Sequence, residues 1–143
     1  MKLHILLTAL LLAPVLAFAG GKTDSPSEVM KKVIESAFRN MDFETAIPLS
    51  HGEVKKYFQT SAEVIAQMQK AADAGDAETK ARLAGIKAKY AKVIYEIKGE
   101  KIDGDAAVVT VIRKLDGKAE THYFYLVKID GAWKYTRARR DGK

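Results

Sequence analysis

Outside its first 19 residues the chain holds two histidines, His51 and His122, and it has no cysteine. An imidazole can give or take a proton near pH 7, and a carboxylate such as Glu96 can serve as a base. His122 and Glu96 are therefore the candidates for acid–base chemistry, although no acid partner for His122 is evident. Arg113, Arg137, Arg139 and Arg140 offer planar sets of N–H donors suited to a carboxylate or phosphate. His51 adjoins Gly52 and reads as a solvated turn residue, while Asp42 is accounted for as a helix cap. No His-x-x-x-His spacing or carboxylate cluster with loop geometry occurs, so neither a metal nor a cofactor is expected. The missing cysteine excludes thiol catalysis, disulfides and a lipidated N-terminus.

These residues need strands to position them, and the second half of the chain supplies the signals. Asp103-Gly104, Asp116-Gly117 and Asp130-Gly131 each follow an apolar residue. Tight hairpin turns require positive φ, which glycine adopts at little cost, so Asp-Gly between alternating segments predicts a hairpin. Four antiparallel strands in meander order are expected, over 91–102, 105–115, 118–129 and 132–138. Pairing outward from the turns sets Ile97 opposite Thr110, Val111 opposite His122, and Thr110 opposite Tyr123. One face then collects Ile94, Glu96, Ala107, Val109, Val111, Phe124, Leu126, Trp133 and Tyr135, with Arg113, His122, Arg137 and Arg139 toward one end. It is the expected core face. The other collects Val93, Tyr95, Ile97, Val108, Thr110, Ile112, Tyr123, Tyr125, Val127 and Thr136.

The first half reads as helices. Ser25-Pro26-Ser27-Glu28 is a capping box that opens a helix from Pro26 to about Asn40. Its apolar positions, Val29, Val33, Ile34, Ala37 and Phe38, fall on one face. Asp42 caps a short helix over Phe43–Leu49, and one further turn is expected over Glu53–Phe58. Thr60-Ser61-Ala62-Glu63 reads as a second capping box that opens another helix. Gly75 and Asp76 end that helix and cap the next, which runs from Glu78 to about Lys89. Helices followed by an antiparallel sheet make an α+β fold.

The chain has 143 residues, 48% of them hydrophobic, which suits a single domain. Lys2, the uncharged run from Ile5 to Val15 and Ala17-Phe18-Ala19 have the form of a secretory signal peptide. Residues 1–19 would be removed between Ala19 and Gly20, leaving a flexible lead-in over 20–24, a domain over 25–138 and a basic tail over 139–143. A periplasmic or secreted product without a membrane span follows. Loss of Lys2 lowers the formal charge from +6 to +5, a balance that favours small anions without marking a nucleic-acid partner.

The motifs Ser25-Pro26-Ser27-Glu28-Val29, Met41-Asp42-Phe43-Glu44-Thr45-Ala46 and Asp103-Gly104-Asp105-Ala106-Ala107-Val108-Val109 follow one another in a characteristic order. Leu126-Val127-Lys128-Ile129-Asp130-Gly131-Ala132-Trp133-Lys134 closes the series. Together they resemble the NTF2-like superfamily with its cystatin-like fold, and within it the secreted bacterial DUF4878 domains. That resemblance implies a curved sheet wrapped on helices around a cavity. It leaves activity open, because the superfamily includes isomerases, dehydratases and plain binding modules.

The expected function is thus an exported, non-enzymatic binding or interaction module for a small anionic or hydrophobic ligand. Arg113, His122, Arg137, Trp133 and Tyr135 are its expected binding residues. The alternative is a cavity enzyme of isomerase or dehydratase type that uses His122 or Glu96. Tyr95, Ile112, Tyr123, Tyr125 and Val127 form an apolar patch on the opposite face, where a homodimer contact is expected.

Overall fold

The computed structural model describes residues 23–137. The segment 1–19 with its cleavage site, Arg139, Arg140 and the basic tail lie outside the described residues. Helix α1 spans Pro26–Val33. It begins at the expected capping box: Ser25 Oγ accepts the Glu28 N–H at 3.2 Å, and the Glu28 carboxylate accepts the Ser25 N–H at 2.7 Å. Glu100, from the sheet, accepts the Ser27 N–H at 2.7 Å, so a third free donor of the first turn is satisfied across the fold. The helical run continues to Arg39, but Ile34–Arg39 winds as a π-helix. The Asp42 N–H closes this segment on the Ser36 carbonyl at 2.8 Å.

Helix α2, Phe43–Ala46, is capped by Asp42, whose Oδ1 accepts the Thr45 N–H at 3.1 Å, and a 3₁₀ turn follows over Ile47–Leu49. The expected break near Thr60 does not occur. A single helix, α3, runs over Gly52–Asp73. Nothing between Phe58 and Glu63 breaks a helix, and Phe58, Ala62 and Ile65 keep one face toward the core cluster throughout. A capping-box sequence caps only where the backbone is already leaving the helix. The stop at Gly75 (φ +100°) and the restart at Asp76 are as expected, with α4 over Ala77–Ala91.

The sheet has four antiparallel strands in sequence order: β1 Ile94–Asp103, β2 Ala106–Leu115, β3 Lys118–Ile129 and β4 Ala132–Thr136. Asp116-Gly117 and Asp130-Gly131 both have positive φ at each residue, the type I′ pattern whose twist matches that of the strands. Val111 lies opposite His122 and Thr110 opposite Tyr123, as expected. The first hairpin differs. Its turn residues are Gly104-Asp105, with Asp103 paired to Ala106, and Lys98 is left unpaired between Ile97 and Gly99. Ile97 therefore faces Val111, and Gly99 takes the place opposite Thr110.

One extra residue in a strand exchanges faces for everything beyond it. Tyr95 and Ile97 turn under the helices and pack against the core, while Ile94 is 57% exposed on the outer face. Glu96 goes outward with Ile94. The expected assignments of Ile94 and Glu96 to the Trp133 face, and of Tyr95 and Ile97 to the opposite face, are thus reversed.

The core lies between α1, the π-helical segment, α2, the first turns of α3 and one face of the sheet. Met30, Val33, Ala37 and Phe58 meet Val109, Val111, Leu126 and Trp133 there. Leu126 is 2% exposed, so Leu126→Ala is expected to lower unfolding free energy by about 2–5 kcal/mol. Urea unfolding followed by the fluorescence of Trp133 measures it. A loss below about 1 kcal/mol would show that the sheet face is not the packed core.

Candidate functional site

Phe38 determines where a ligand can reach the covered face. The π-helical segment sets its ring over the sheet, 6.0 Å from Tyr95, 5.9 Å from Phe124, 6.4 Å from Tyr135 and 6.2 Å from Phe58, centre to centre. These rings occupy the space between helices and sheet that the resemblance assigns to a cavity. Polar groups gather beyond them, toward the sheet end where β2 finishes and β3 begins.

His122 stacks on Phe124 at 6.3 Å with an interplanar angle of 26°. Its Nε2 is shut off from solvent and has no hydrogen-bond partner. Glu120 Oε2 lies 3.4 Å from that nitrogen, and 3.5 Å from Arg113 Nη1 on the neighbouring strand. Glu120 is the acid neighbour that the sequence reading does not find. The signal was the strand period: Glu120 and His122 are two apart and share a face.

Arg137 and Tyr135 approach from β4. The backbone ties β4 to the start of α3: Ser50 bridges to Tyr135, and the His51 N–H donates to the Tyr135 carbonyl at 2.9 Å. This tie brings Glu53 to Arg137 at 3.1 Å. Both side chains are about three-quarters exposed, so the pair adds little stability and is free to exchange partners. A cleft of about 330 Å³ opens here, lined by Phe38, Glu53, Val54, Tyr57, Phe58, Tyr135 and Arg137. Burial, reinforced by nearby Tyr57, pushes the Tyr135 hydroxyl up to about 12. It stays protonated as a neutral hydrogen-bonding group at any physiological pH.

The structure gathers Arg113 and His122 on one side of Phe38 and Phe124, and Tyr135 and Arg137 on the other. Trp133 is not among them. It lies at the far end of the sheet, 6% exposed, with the Lys128 ammonium 5.2 Å from its ring centre. Glu96 is on the outer face, bonded to Lys114 and, at 2.8 Å, to Lys98. His51 caps nothing with its side chain and stands at the start of α3. Among the described residues no group of acids and histidines could hold a metal ion, and no helix is long and apolar enough to cross a membrane.

The family model for a domain of unknown function, DUF4878, matches residues 17–136, and the chain belongs to that family. A comparison with curated proteins finds no match. Among solved structures the chain is similar to a Campylobacter jejuni protein described as a candidate NTF2-like transpeptidase. The two share 15% identity at a TM-score of 0.45, over 78% of this chain and 97% of that one.

Hydrogen bonds from Lys114 and then Lys98 hold the Glu96 carboxyl at about 2, well below the usual glutamate range. The pairing therefore contributes above the ordinary glutamate pKa and is lost as the pH falls toward 2. A carboxyl so far ionised is a poor proton acceptor near neutrality. Carbon-13 NMR titration of Glu96 should give a midpoint near 2 that rises toward the ordinary range in Lys114→Met. A midpoint near 4.5 in the unaltered protein would remove the pairing and return Glu96 as a base.

Proposed function

We propose that this chain is an exported binding module that holds a small ligand with an apolar body and an anionic head. The anion lies against Arg113 and His122, and the apolar body on Phe38, Phe124 and Tyr135, with Arg137 at the far lip. One observation carries the reading: Arg113 and the Nε2 of His122 converge on one carboxylate oxygen, Glu120 Oε2, at 3.5 and 3.4 Å, beside the Phe124 ring. The Glu120 side chain is 61% exposed and loosely held, so a ligand carboxylate can take its place between the two. Signal-like residues 1–19 support export, and an N-terminus at Gly20 in protein recovered from the periplasm is the corresponding check.

Two features favour binding over catalysis. Glu96, the second acid–base candidate, is directed away from the site. The strand neighbours of His122 on its own face, Glu120, Phe124, Val111 and Arg113, include no hydroxyl or thiol nucleophile. Calorimetric titration with 1-naphthoate, and with 1-naphthamide as its uncharged match, tests the proposal. The carboxylate should bind about tenfold more tightly or better, and Arg113→Gln should remove that advantage. Equal binding of the two compounds, or none of either, contradicts it. Turnover of a ring ketone that is lost in a folded His122→Ala variant would establish the enzyme reading in its place.

The outer face supports a homodimer as the state in which this module works. Tyr123 is 60% exposed and Tyr125 38%, beside Val108, Ile112 and Val127, and the ion group of Glu96, Lys98 and Lys114 stands at the margin. An apolar centre with a charged margin is the usual anatomy of a protein contact. Tyr123, Thr110 and Gly99 lie in one row across three strands, and a side chain at Gly99 would meet nothing within 4 Å. A two-fold axis would seat each Tyr123 ridge in its partner's Gly99 hollow. Tyr95 takes no part, since it packs under the helices. Sedimentation equilibrium should show a dimer that Tyr125→Asp splits while circular dichroism is unchanged. An unaltered protein that remains monomeric at high micromolar concentration ends this proposal.

A further inference from the structure

The covered face has a second recess, on the β1 side, that the ligand site above does not use. It is an open recess of about 240 Å³ lined by Lys31, Ile34, Glu35, Arg39, Tyr95 and Ile97. Its floor is apolar: Ile34 is 5% exposed, and Tyr95 and Ile97 pack on the core. The charged residues Lys31, Glu35 and Arg39 stand along the helix that forms one wall.

Charges four residues apart on an α-helix are neighbours, and such a row normally pairs off acid with base. Here the winding changes to π at Ile34. Its i→i+5 bonding moves Arg39 out of line with Glu35. Among the described residues none of the three forms an ion pair. Two cations and one carboxylate therefore stand unneutralised at the lip of an apolar recess. The bulge at Lys98 completes the recess from the other side, because it is what turns Tyr95 and Ile97 inward.

A ligand that meets all of these groups carries an anion and a cation close together, with an apolar substituent beside them. We infer that the recess binds a free α-amino acid with an apolar side chain. The α-carboxylate lies on Arg39 and Lys31, the α-ammonium on Glu35, and the side chain on Ile34, Tyr95 and Ile97. The volume falls below the roughly 300–1,000 Å³ of sites for drug-sized ligands, so a single small zwitterion suits it better than a longer molecule. The inference uses neither His122 nor Arg113 and stands apart from the anion site.

The test compares L-leucine with 4-methylpentanoate, which lacks the ammonium, and with 3-methylbutylamine, which lacks the carboxylate. Calorimetry on the purified protein should give leucine an affinity at least about tenfold above either, the value of one well-made charged contact. Glu35→Gln should abolish the advantage of leucine over 4-methylpentanoate, and Arg39→Gln should weaken both. All three residues are at the surface, and circular dichroism confirms that the variants fold. Methyl NMR should show leucine shifting the Ile34 and Ile97 signals. Equal affinities for leucine and 4-methylpentanoate overturn the inference, as does no binding at about 10 mM. Shifts at Phe124 and His122 in place of Ile34 and Ile97 overturn it as well, and would assign leucine to the other site.

Discussion

The register of β2, β3 and β4 is the constraint on which the rest of the molecule depends. Two type I′ turns, at Asp116-Gly117 and Asp130-Gly131, leave no slack between these strands. Strand side chains alternate, so one choice of register places Val109, Val111, Leu126 and Trp133 on the same side. The same choice sends Arg113, His122 and Tyr135 to that side, and Tyr123 and Tyr125 to the other. Core, candidate site and outer patch are consequences of a single parity. A slip of one residue in β3 would bury Tyr123 and Tyr125 and expose Leu126 and Phe124, with no compensating contact for the helices.

Legibility in the sequence follows from how local the determining interaction is. The caps at Ser25, Asp42 and Asp76 and the two I′ turns are settled by neighbours within a few residues, and they stand where the pattern places them. The capping-box sequence at Thr60 is also local, yet α3 runs through it. Whether the backbone leaves the helix there depends on Phe58, Ala62 and Ile65 all finding the core, which is a tertiary matter. The bulge at Lys98 is of the same kind. Both alternations along Ile94-Tyr95-Glu96-Ile97 are half apolar, so the pattern does not distinguish them. Tyr95 and Ile97 fit under Phe38 and beside Val111, whereas Glu96 beneath the helices would be a buried charge without a partner.

The candidate site was legible to the extent that it depends on β2, β3 and β4. Arg113, His122, Tyr135 and Arg137 follow from parity alone, and Glu120 would have followed too. Glu96 and Tyr95 exchanged faces with the bulge. Phe38, Tyr57 and Glu53 could not be assigned to the site, because their approach depends on the π-helical segment and on the bond from the His51 N–H to the Tyr135 carbonyl. Trp133 was expected both on the core face and among the binding residues; it lies in the core beside the last turn, away from Arg113 and His122.

Phe38 explains why the polar groups occupy the margin of the covered face and not its centre. Its ring packs against Phe58, Tyr95, Phe124 and Tyr135 at once. The π-helical segment gives up regular i→i+4 bonding over six residues, and in return the widest part of the covered face is filled with aromatic surface. Nothing fits between Phe38 and the sheet without displacing that ring, and only the outer edges of the ring cluster stay open. Two recesses remain beside it, one toward β1 and one toward β4. Each is apolar beneath and charged at the lip: Ile34, Tyr95 and Ile97 floor the first, and Phe38, Phe58 and Tyr135 the second.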